Sequence, residues 1–333
     1  MSALDYPYPE TPAPGKTIEV APGVQWLSMP LPFALDHINL WMIGDTIVDT
    51  GIGDEKTRAL WENILLQKQI NRVILTHYHP DHAGNAAWLC KKFGVPLWTT
   101  QGEYLTAHAG RESSAGYTSE AVIDVFLKNG LDPARAAKML GRGNRYAALV
   151  PDFPTSYRRI IGGDRVKIGG HEWLAFIGHG HAPEHLSLYC EALNVVVAGD
   201  MLLSTISTNV SVWSIDPEGD PLRLFLESLK RYRELPGDVL VLPSHGKPFR
   251  GAHARIAELE AHHQGHFSKI VEALKSRESS AGELLGLLFR RPLDAHQTFF
   301  AMGEAIAHLH YLYYAGRLQR SAGADGIMRY AAS

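Results

Sequence analysis

The segment Thr76–His82, with the sequence THYHPDH, constrains the fold of this 333-residue chain more than any other feature. It follows the apolar run Val73–Leu75, which is typical of a buried strand, and Pro80 disfavours a continuous helix through the segment. Alternate side chains of an extended loop point to one side, so His77 and His79 can bind one cation together. Three imidazoles and a carboxylate within six residues suit Zn²⁺ or Fe²⁺. The sequence therefore predicts a metal site at the end of this strand.

Three later segments also place ligand-type residues just after apolar runs. They carry, in order, His179 and His181, then Asp200, then His245. Folds that alternate strands and helices place their ligands at strand ends. We therefore expect these segments to supply further ligands to the same site.

Strand and helix patterns alternate from residue 18 to about residue 250, which predicts an α/β layered sandwich. Residues 103–158 interrupt the alternation with helix-like stretches, and we interpret them as an insertion in the region of the site. After Gly251 the pattern becomes almost wholly helical and closes with a short hairpin pattern. We therefore expect two domains, residues 1–250 and residues 251–333, with a helical insertion at about 103–158 in the first.

Composition and charge exclude several classes of protein. The chain is 45% hydrophobic and 20% charged, as folded globular proteins are, and its net charge of −3 gives no overall attraction to nucleic acid or anionic lipid. Two cysteines are too few for a disulfide framework, and the amino-terminal segment does not look like a signal peptide, so we expect a cytoplasmic protein. No apolar stretch approaches the ~20 residues that span a bilayer, so we expect no membrane association.

The order of these motifs resembles that of the metallo-β-lactamase superfamily of hydrolases. The resemblance spans about residues 18–250 and is carried by THYHPDH, by the HxPxH pattern from His181 to His185, by Gly-Asp at Asp200, by Ser-His-Gly at His245, and by Asp49 in IVDTG. It implies a four-layer αββα sandwich with the metals at one edge between two sheets. The region after Ala252 resembles, less specifically, a small winged-helix-like C-terminal domain of one hydrolase branch.

The resemblance also implies two metal ions and a role for each candidate ligand. The expected ligands are His77, His79 and His181 for metal one, Asp81, His82 and His245 for metal two, and Asp200 as the bridge. Two divalent ions are expected, Zn²⁺ first, with Fe or Mn as alternatives. Asp81 is also the candidate catalytic residue, which orients the nucleophile or accepts its proton.

Neighbouring residues receive supporting roles or stay open. Asp49 is expected to hydrogen-bond a ligand histidine or a loop amide, with a simple turn-forming role as the alternative. His185 is expected to be structural, and the spacing to Pro183 favours His181 over His179 as the ligand. The family's common HTPGH reads HAPEH here, so that Glu184 faces either the site or solvent.

Together these features predict a binuclear metal-dependent hydrolase in which a metal-bridging hydroxide attacks a small-molecule ester, thioester or lactone. An aspartate at position 200 fits the glyoxalase II, ribonuclease and lactonase branches, so antibiotic hydrolysis is not expected as the natural role. The alternative is a phosphodiesterase or ribonuclease whose C-terminal domain holds nucleic acid. A third alternative is a non-hydrolytic member of the superfamily. The complete two-metal set argues against a mononuclear oxygenase, and the lack of a flavodoxin-like domain argues against a flavodiiron-like protein.

The substrate and partners depend on the insertion and the tail. Residues 251–333 hold nine Lys or Arg and eight Asp or Glu, whereas a phosphate-binding surface should be basic. We therefore favour a domain that packs against the core, lines the substrate cleft or forms a homodimer. The candidate substrate contacts of the insertion are Arg111, Arg142, Arg145, Arg158, Arg159, Tyr117, Tyr146 and Tyr157.

Overall fold

The computed structural model describes residues 4–32, 35–140, 143–289 and 292–333. Arg142, one of the candidate substrate contacts, lies outside the described residues. The strands are β1 (Thr17–Ala21), β2 (Val24–Pro30), β3 (His37–Ile43), β4 (Thr46–Val48), β5 (Arg72–Ile74), β6 (Leu97–Thr99), β7 (Tyr157–Arg159), β8 (Arg165–Ile168), β9 (His171–Gly178), β10 (His185–Cys190), β11 (Val195–Gly199), β12 (Leu240–Pro243), β13 (Leu318–Ala322) and β14 (Met328–Ala332). The helices are α1 (Glu55–Ile64), α2 (Pro80–Ala83), α3 (Ala86–Phe93), α4 (Gln101–Arg111), α5 (Ser119–Lys128), α6 (Pro133–Leu140), α7 (Arg145–Leu149), α8 (Pro221–Tyr232), α9 (Ala252–Leu274), α10 (Ala281–Leu288) and α11 (Ala295–Tyr314).

The strands of the described residues form two large sheets and one hairpin. The first sheet runs in chain order from β1 to β7, antiparallel as far as β4 and parallel from β4 to β7. The second sheet has the order β12-β11-β10-β9-β8, in which only β11 and β12 are parallel. The carboxyl ends of parallel strands meet at one edge of a sheet. Asp49 and His77 follow the adjacent parallel strands β4 and β5 of the first sheet. Asp200 and His245 follow the adjacent parallel strands β11 and β12 of the second. Each pair therefore lies at one edge of its sheet.

The strand side chains alternate between two buried layers, because successive residues of a strand face opposite sides of a sheet. Trp26 and Trp41 of the first sheet share one core with Trp173 of the second, so the two sheets pack face to face. The next residue along β2, Leu27, faces the other way and shares a core with Trp61 of α1 and with residues of α3.

A helix also covers the outer face of the second sheet. The Tyr232 ring at the end of α8 lies 5.0 Å from the Phe176 ring, and its hydroxyl is 2.6 Å from Ser187 Oγ. The layer order is therefore helix, sheet, sheet, helix, which confirms the predicted αββα fold class.

The chain divides into two compact units. The first contains both large sheets and comprises Met1–Glu112, Tyr146–Thr208 and Ser228–Ile256. The second comprises Ser113–Arg145, Asn209–Glu227 and Ala257–Ser333, and is mainly helical with the β13–β14 hairpin. Capping boxes begin two of its helices, α10 at Ser280 and α11 at Asp294. The domain boundary at residue 250 and the insertion at about 103–158 stay predictions.

The helices α2 and α3 are separated by Gly84 and Asn85, and the cause is a close approach of two loops. A Cβ atom at Gly84 would lie 2.2 Å from the Gly53 amide nitrogen, so only glycine fits there. The next residue, Asn85, donates its side-chain amide to the Ile52 carbonyl at 2.5 Å. These contacts separate α2, which carries Asp81 and His82, from α3. Within the described ranges, no helix combines the length and apolarity that crossing a membrane requires.

Candidate metal centre

Seven histidine and aspartate side chains converge at the strand ends of the first unit. Their ligand atoms form two groups, each within 4.8 Å: His77, His79, His181 and Asp200 in group one, and Asp81, His82 and His245 in group two. The structure thus brings together the seven residues that the family resemblance implies as ligands. We call these two groups the metal centre.

The Asp200 carboxylate lies between the two groups. Its Oδ2 atom is 3.4 Å from His181 Nε2 of group one. Its Oδ1 atom is 3.6 Å from His82 Nε2 and 3.8 Å from His245 Nε2, both of group two. One oxygen therefore faces each group, which is the arrangement that a bridging ligand requires.

The three imidazoles of group one have nitrogens that face one another. His77 Nε2 lies 2.9 Å from His79 Nδ1 and 3.2 Å from His181 Nε2. Burial, together with the neighbouring imidazoles, lowers the pKa of His77 well below its ordinary value and that of His79 to about 3. These side chains are therefore uncharged near neutral pH and can offer lone pairs to a cation.

The histidines of group two lie among carboxylates, whose negative charge attracts a cation. Burial by itself lowers the pKa of His82, but the carboxylates of Asp49, Asp81 and Asp200 outweigh it and raise the pKa to about 10. Among the described residues, His82 Nε2 and Asp200 Oδ1 are buried atoms with no hydrogen-bond partner. A divalent cation would balance the negative charge of these carboxylates and could coordinate both atoms. The residues present therefore fit a metal.

Asp49 orients His82, one of the candidate ligands. Asp49 Oδ2 accepts hydrogen bonds from His82 Nδ1 and Thr76 Oγ1, both at 2.8 Å, and Oδ1 accepts one from the Thr76 amide, also at 2.8 Å. Because Nδ1 donates to Asp49, Nε2 is the nitrogen that His82 presents to Asp81 and Asp200. Asp49 itself is fully buried and adopts a left-handed φ of 61°. Of the two sequence-based alternatives, the contacts match the supporting role.

His185 and His179 both lie outside the two groups. The Asp200 amide donates to His185 Nε2 at 3.1 Å, so His185 positions the backbone of Asp200. Gly199 has a φ of 54°, and a Cβ atom there would lie 2.4 Å from His185 Nε2. His179 places Nδ1 2.7 Å from the Pro183 carbonyl oxygen. His181, rather than His179, therefore joins group one.

Sequence reasoning missed Asn39, which fixes the loop that carries His245. The Asn39 amide donates to the Pro243 carbonyl at 2.8 Å and to the Gly246 carbonyl at 2.6 Å, on either side of His245. Its own oxygen accepts a hydrogen bond from Trp26 Nε1 at 2.8 Å. The available signal was a side-chain amide within the mostly apolar strand HINLWMI.

Sequence reasoning also missed Glu103, a fully buried residue of α4. Its Oε2 atom accepts from the Tyr78 amide at 2.8 Å, and Oε1 accepts from the Glu184 amide at 2.6 Å. Burial raises the pKa of Glu103 to about 8, although these two amides oppose the shift. Glu103 therefore joins the loop of His77 and His79 to the loop of His181. The Glu184 carboxylate, whose direction the sequence left open, accepts from the Gly102 amide in the first turn of α4 at 2.7 Å.

Several candidate substrate contacts of the insertion have partners within the first unit. The Tyr146 hydroxyl donates to the Tyr78 carbonyl at 2.5 Å, and so contacts the loop that carries His77 and His79. The Arg111 side chain donates to the Pro151 carbonyl, and the Arg158 guanidinium lies 4.3 Å from the centre of the Trp98 ring. Of this set, Tyr146 has the contact that bears most directly on the metal centre.

Two protein-family models match this chain, and one of them covers the metal centre. The family model of the metallo-beta-lactamase superfamily matches residues 36–245, which include all seven residues of the centre. A second family model, the metallo-beta-lactamase-like C-terminal domain, matches residues 267–333.

Individual relatives agree with this assignment. A probable metallo-hydrolase of Bacillus subtilis, YqjP, is 25% identical over 86% of this chain and 91% of its own length. A hydroxyacylglutathione hydrolase of Idiomarina loihiensis is 24% identical over 64% of this chain and 62% of its own length. The crystal structure of a beta-lactamase domain protein from Burkholderia ambifaria has 47% identity and a TM-score of 0.93, covering 99% of this chain and 98% of that one.

Proposed function

Because this chain belongs to the metallo-beta-lactamase superfamily and is a metal-dependent hydrolase, we propose that it uses two divalent metal ions to cleave a small-molecule ester, thioester or lactone. The observation that carries the proposal is the position of Asp200, with one carboxylate oxygen toward each group of ligand atoms. A single ion needs no such bridge.

The proposed ligand assignment follows the two groups. His77, His79 and His181 hold one ion, Asp81, His82 and His245 hold the other, and Asp200 contacts both. Imidazole and carboxylate ligands suit Zn²⁺, and they also accept Fe or Mn, which are the alternatives. Bound divalent ions supply a Lewis acid and lower the pKa of coordinated water.

The chain's own residues supply positioning and proton transfer. We assign Asp81 the role of orienting the attacking water or accepting its proton. Its Oδ2 atom lies 3.3 Å from His245 Nε2, and its side chain is 16% exposed, which leaves it within reach of solvent. Asp49 and His185 hold His82 and the Asp200 backbone in place, while Glu103 keeps the two histidine loops together.

Two considerations support a carbonyl substrate. Two relatives, from Idiomarina loihiensis and Erwinia tasmaniensis, are named hydroxyacylglutathione hydrolases, and the substrate in that name is a thioester. Residues 251–333 have a net charge of only +1, which favours a small-molecule substrate over a polynucleotide. The cytoplasmic location and the homodimer stay predictions.

A substrate panel tests the proposal. It contains p-nitrophenyl esters, acyl-coenzyme A and acylglutathione thioesters, homoserine lactones and bis-p-nitrophenyl phosphate. We expect at least one carbonyl substrate to be cleaved, activity to disappear after chelation, and added Zn²⁺, Fe²⁺ or Mn²⁺ to restore it. Asp200→Ala should be inactive, whereas His171→Ala, a histidine at the start of β9 outside both groups, should retain activity.

The same panel decides against the proposal if the phosphodiester alone is cleaved. That result would favour the phosphodiesterase or ribonuclease alternative. Full activity after metal removal would contradict both hypotheses.

A further inference from the structure

A second cluster of metal-ligand side chains lies in the other compact unit, far along the chain from the metal centre. His262 and His266 of α9 and Glu304 of α11 each offer a ligand atom, and these three atoms lie within 4.8 Å of one another. We propose that His262, His266 and Glu304 form a third cation site that binds a divalent transition-metal ion. We call it the helix site.

The helical spacing of the two histidines suits a shared ion. Residues four apart lie one above the other on the same face of a helix, and two histidines in that relation form a recurrent zinc-binding pair. The His262 and His266 rings have their centroids 4.4 Å apart. Glu304 adds the third ligand from a separate helix, so the ion would join α9 to α11.

The His266 ring offers a lone pair without a competing partner. It is buried, and burial lowers its pKa to about 4, so the imidazole is neutral at pH 7. Within the described part of the chain, His266 Nδ1 is a buried atom that forms no hydrogen bond. An unpartnered buried nitrogen costs free energy, which a coordinated cation would offset.

The Glu304 carboxyl group likewise lacks charge compensation. Burial raises the pKa of Glu304 to about 7, although the hydrogen bond from Asn209 opposes this shift. The Asn209 amide nitrogen lies 3.5 Å from Glu304 Oε2, at the outer limit of a hydrogen bond, and no ion pair to Glu304 forms among the described residues. A divalent ion would stabilise the ionised carboxylate at this half-buried position.

Two further histidines support the helices behind the helix site. His308 Nδ1 donates to the Glu304 carbonyl oxygen at 2.8 Å, and this bond fixes the His308 tautomer. His308 Nε2 can then accept from His263 Nδ1, which is 3.1 Å away. This buried chain links the turn of α11 that carries Glu304 to the turn of α9 that carries both ligand histidines. Such outer-layer hydrogen bonds hold ligands in place in many metal sites.

The ligand set selects the class of cation. Two imidazoles and one carboxylate suit Zn²⁺, Co²⁺, Ni²⁺ or Cu²⁺, whereas Ca²⁺ and Mg²⁺ prefer ligand sets made of oxygen. His262 is exposed, so an ion can enter from solvent. Three protein ligands leave a coordination position for water or an external ligand. None of the three residues belongs to the metal centre, so the inference does not depend on the proposed hydrolase mechanism.

Equilibrium dialysis of the full chain against Zn²⁺, with excess Mg²⁺ present, tests the helix site. The metal content of the wild type is compared with that of His262→Ala/His266→Ala. We expect the double variant to bind one equivalent less, whatever number the metal centre binds. Glu304→Gln, which keeps the side-chain shape, should weaken the same binding event by more than about tenfold. The control His171→Ala should match the wild type.

A second measurement covers the case in which the double variant does not fold. Co²⁺ added to Glu304→Gln should give a weaker ligand-field absorption than Co²⁺ added to the wild type, with the difference amounting to one bound ion. Equal Zn²⁺ equivalents and equal Co²⁺ spectra in the wild type and in every folded helix-site variant would overturn the proposal. A wild type that binds fewer than three ions, of which one is still lost in the double variant, would contradict the binuclear metal centre and leave the helix site supported.

Discussion

Replacing Asp49 by asparagine should reverse the tautomer of His82 with little change of shape. In the native protein Asp49 Oδ2 accepts from His82 Nδ1 and from Thr76 Oγ1. An asparagine can still accept from the Thr76 amide through its remaining oxygen, but its nitrogen can only donate. His82 Nδ1 must then accept a hydrogen bond, so the proton moves to Nε2. That proton would point at the position of the metal, 3.6 Å from Asp200 Oδ1.

The two effects of Asp49→Asn differ in size. Loss of a hydrogen-bonded partner behind a metal ligand typically costs 10–100-fold in metal affinity, which corresponds to about 1.4–2.7 kcal/mol. The free energy of unfolding should fall by only about 1–2 kcal/mol, because the amide keeps part of the network. Asp49→Ala would leave three hydrogen-bond donors unpaired: the Thr76 amide, the Thr76 hydroxyl and His82 Nδ1. We expect it to lower the free energy of unfolding by about 3 kcal/mol or more.

Chelator competition and urea unfolding measure these two effects separately. The matched control is Asp45→Asn, the same chemical change at an exposed residue on the same hairpin, which should alter neither quantity by much. Metal affinity in Asp49→Asn equal to that of the wild type, at unchanged stability, would refute the tautomer argument.

Two further substitutions test the supports of the metal centre. Gly199→Ala should destabilise the protein by about 2–4 kcal/mol and reduce activity, because it combines a positive φ with a Cβ atom 2.4 Å from His185 Nε2. Gly94→Ala, which has a similar φ of 65° and open space around it, is the control in urea unfolding, and an equal loss in both would contradict the steric argument. Glu103→Ala should lower the free energy of unfolding by about 2–5 kcal/mol and weaken metal binding, because two buried amides lose their hydrogen-bond acceptor. Glu112→Ala, at the exposed end of the same helix, should be nearly neutral, and a Glu103 variant with wild-type stability and metal affinity would contradict the linking role.

The sequence predicted the parts of the site that depend on local order. His77, His79 and His82 lie in one short segment, and Asp200 and His245 directly follow apolar strands. The alternation of strands and helices is enough to place such strand ends at one edge of a layered sandwich. The fold class could be predicted for the same reason, because it depends on periodicity within each element.

The residues that hold the loops together could not be predicted, because their partners are distant in the chain. Glu103 contacts an amide 81 residues away, and Asn39 contacts a carbonyl 204 residues away. A polar residue within an apolar pattern marks an unusual position, but it does not identify the partner. The break between α2 and α3 has the same origin, because Gly84 meets the backbone of Gly53 from another loop.

Anomalous diffraction from crystals of the metal-loaded full chain tests the central claim most directly. The account predicts two peaks at the metal centre, about 3.5–4 Å apart. Each peak should lie within about 2.0–2.2 Å of the nitrogen and oxygen atoms of its own group, with Asp200 in contact with both. A single peak at this centre, or two peaks without Asp200 as a shared ligand, would contradict the binuclear assignment.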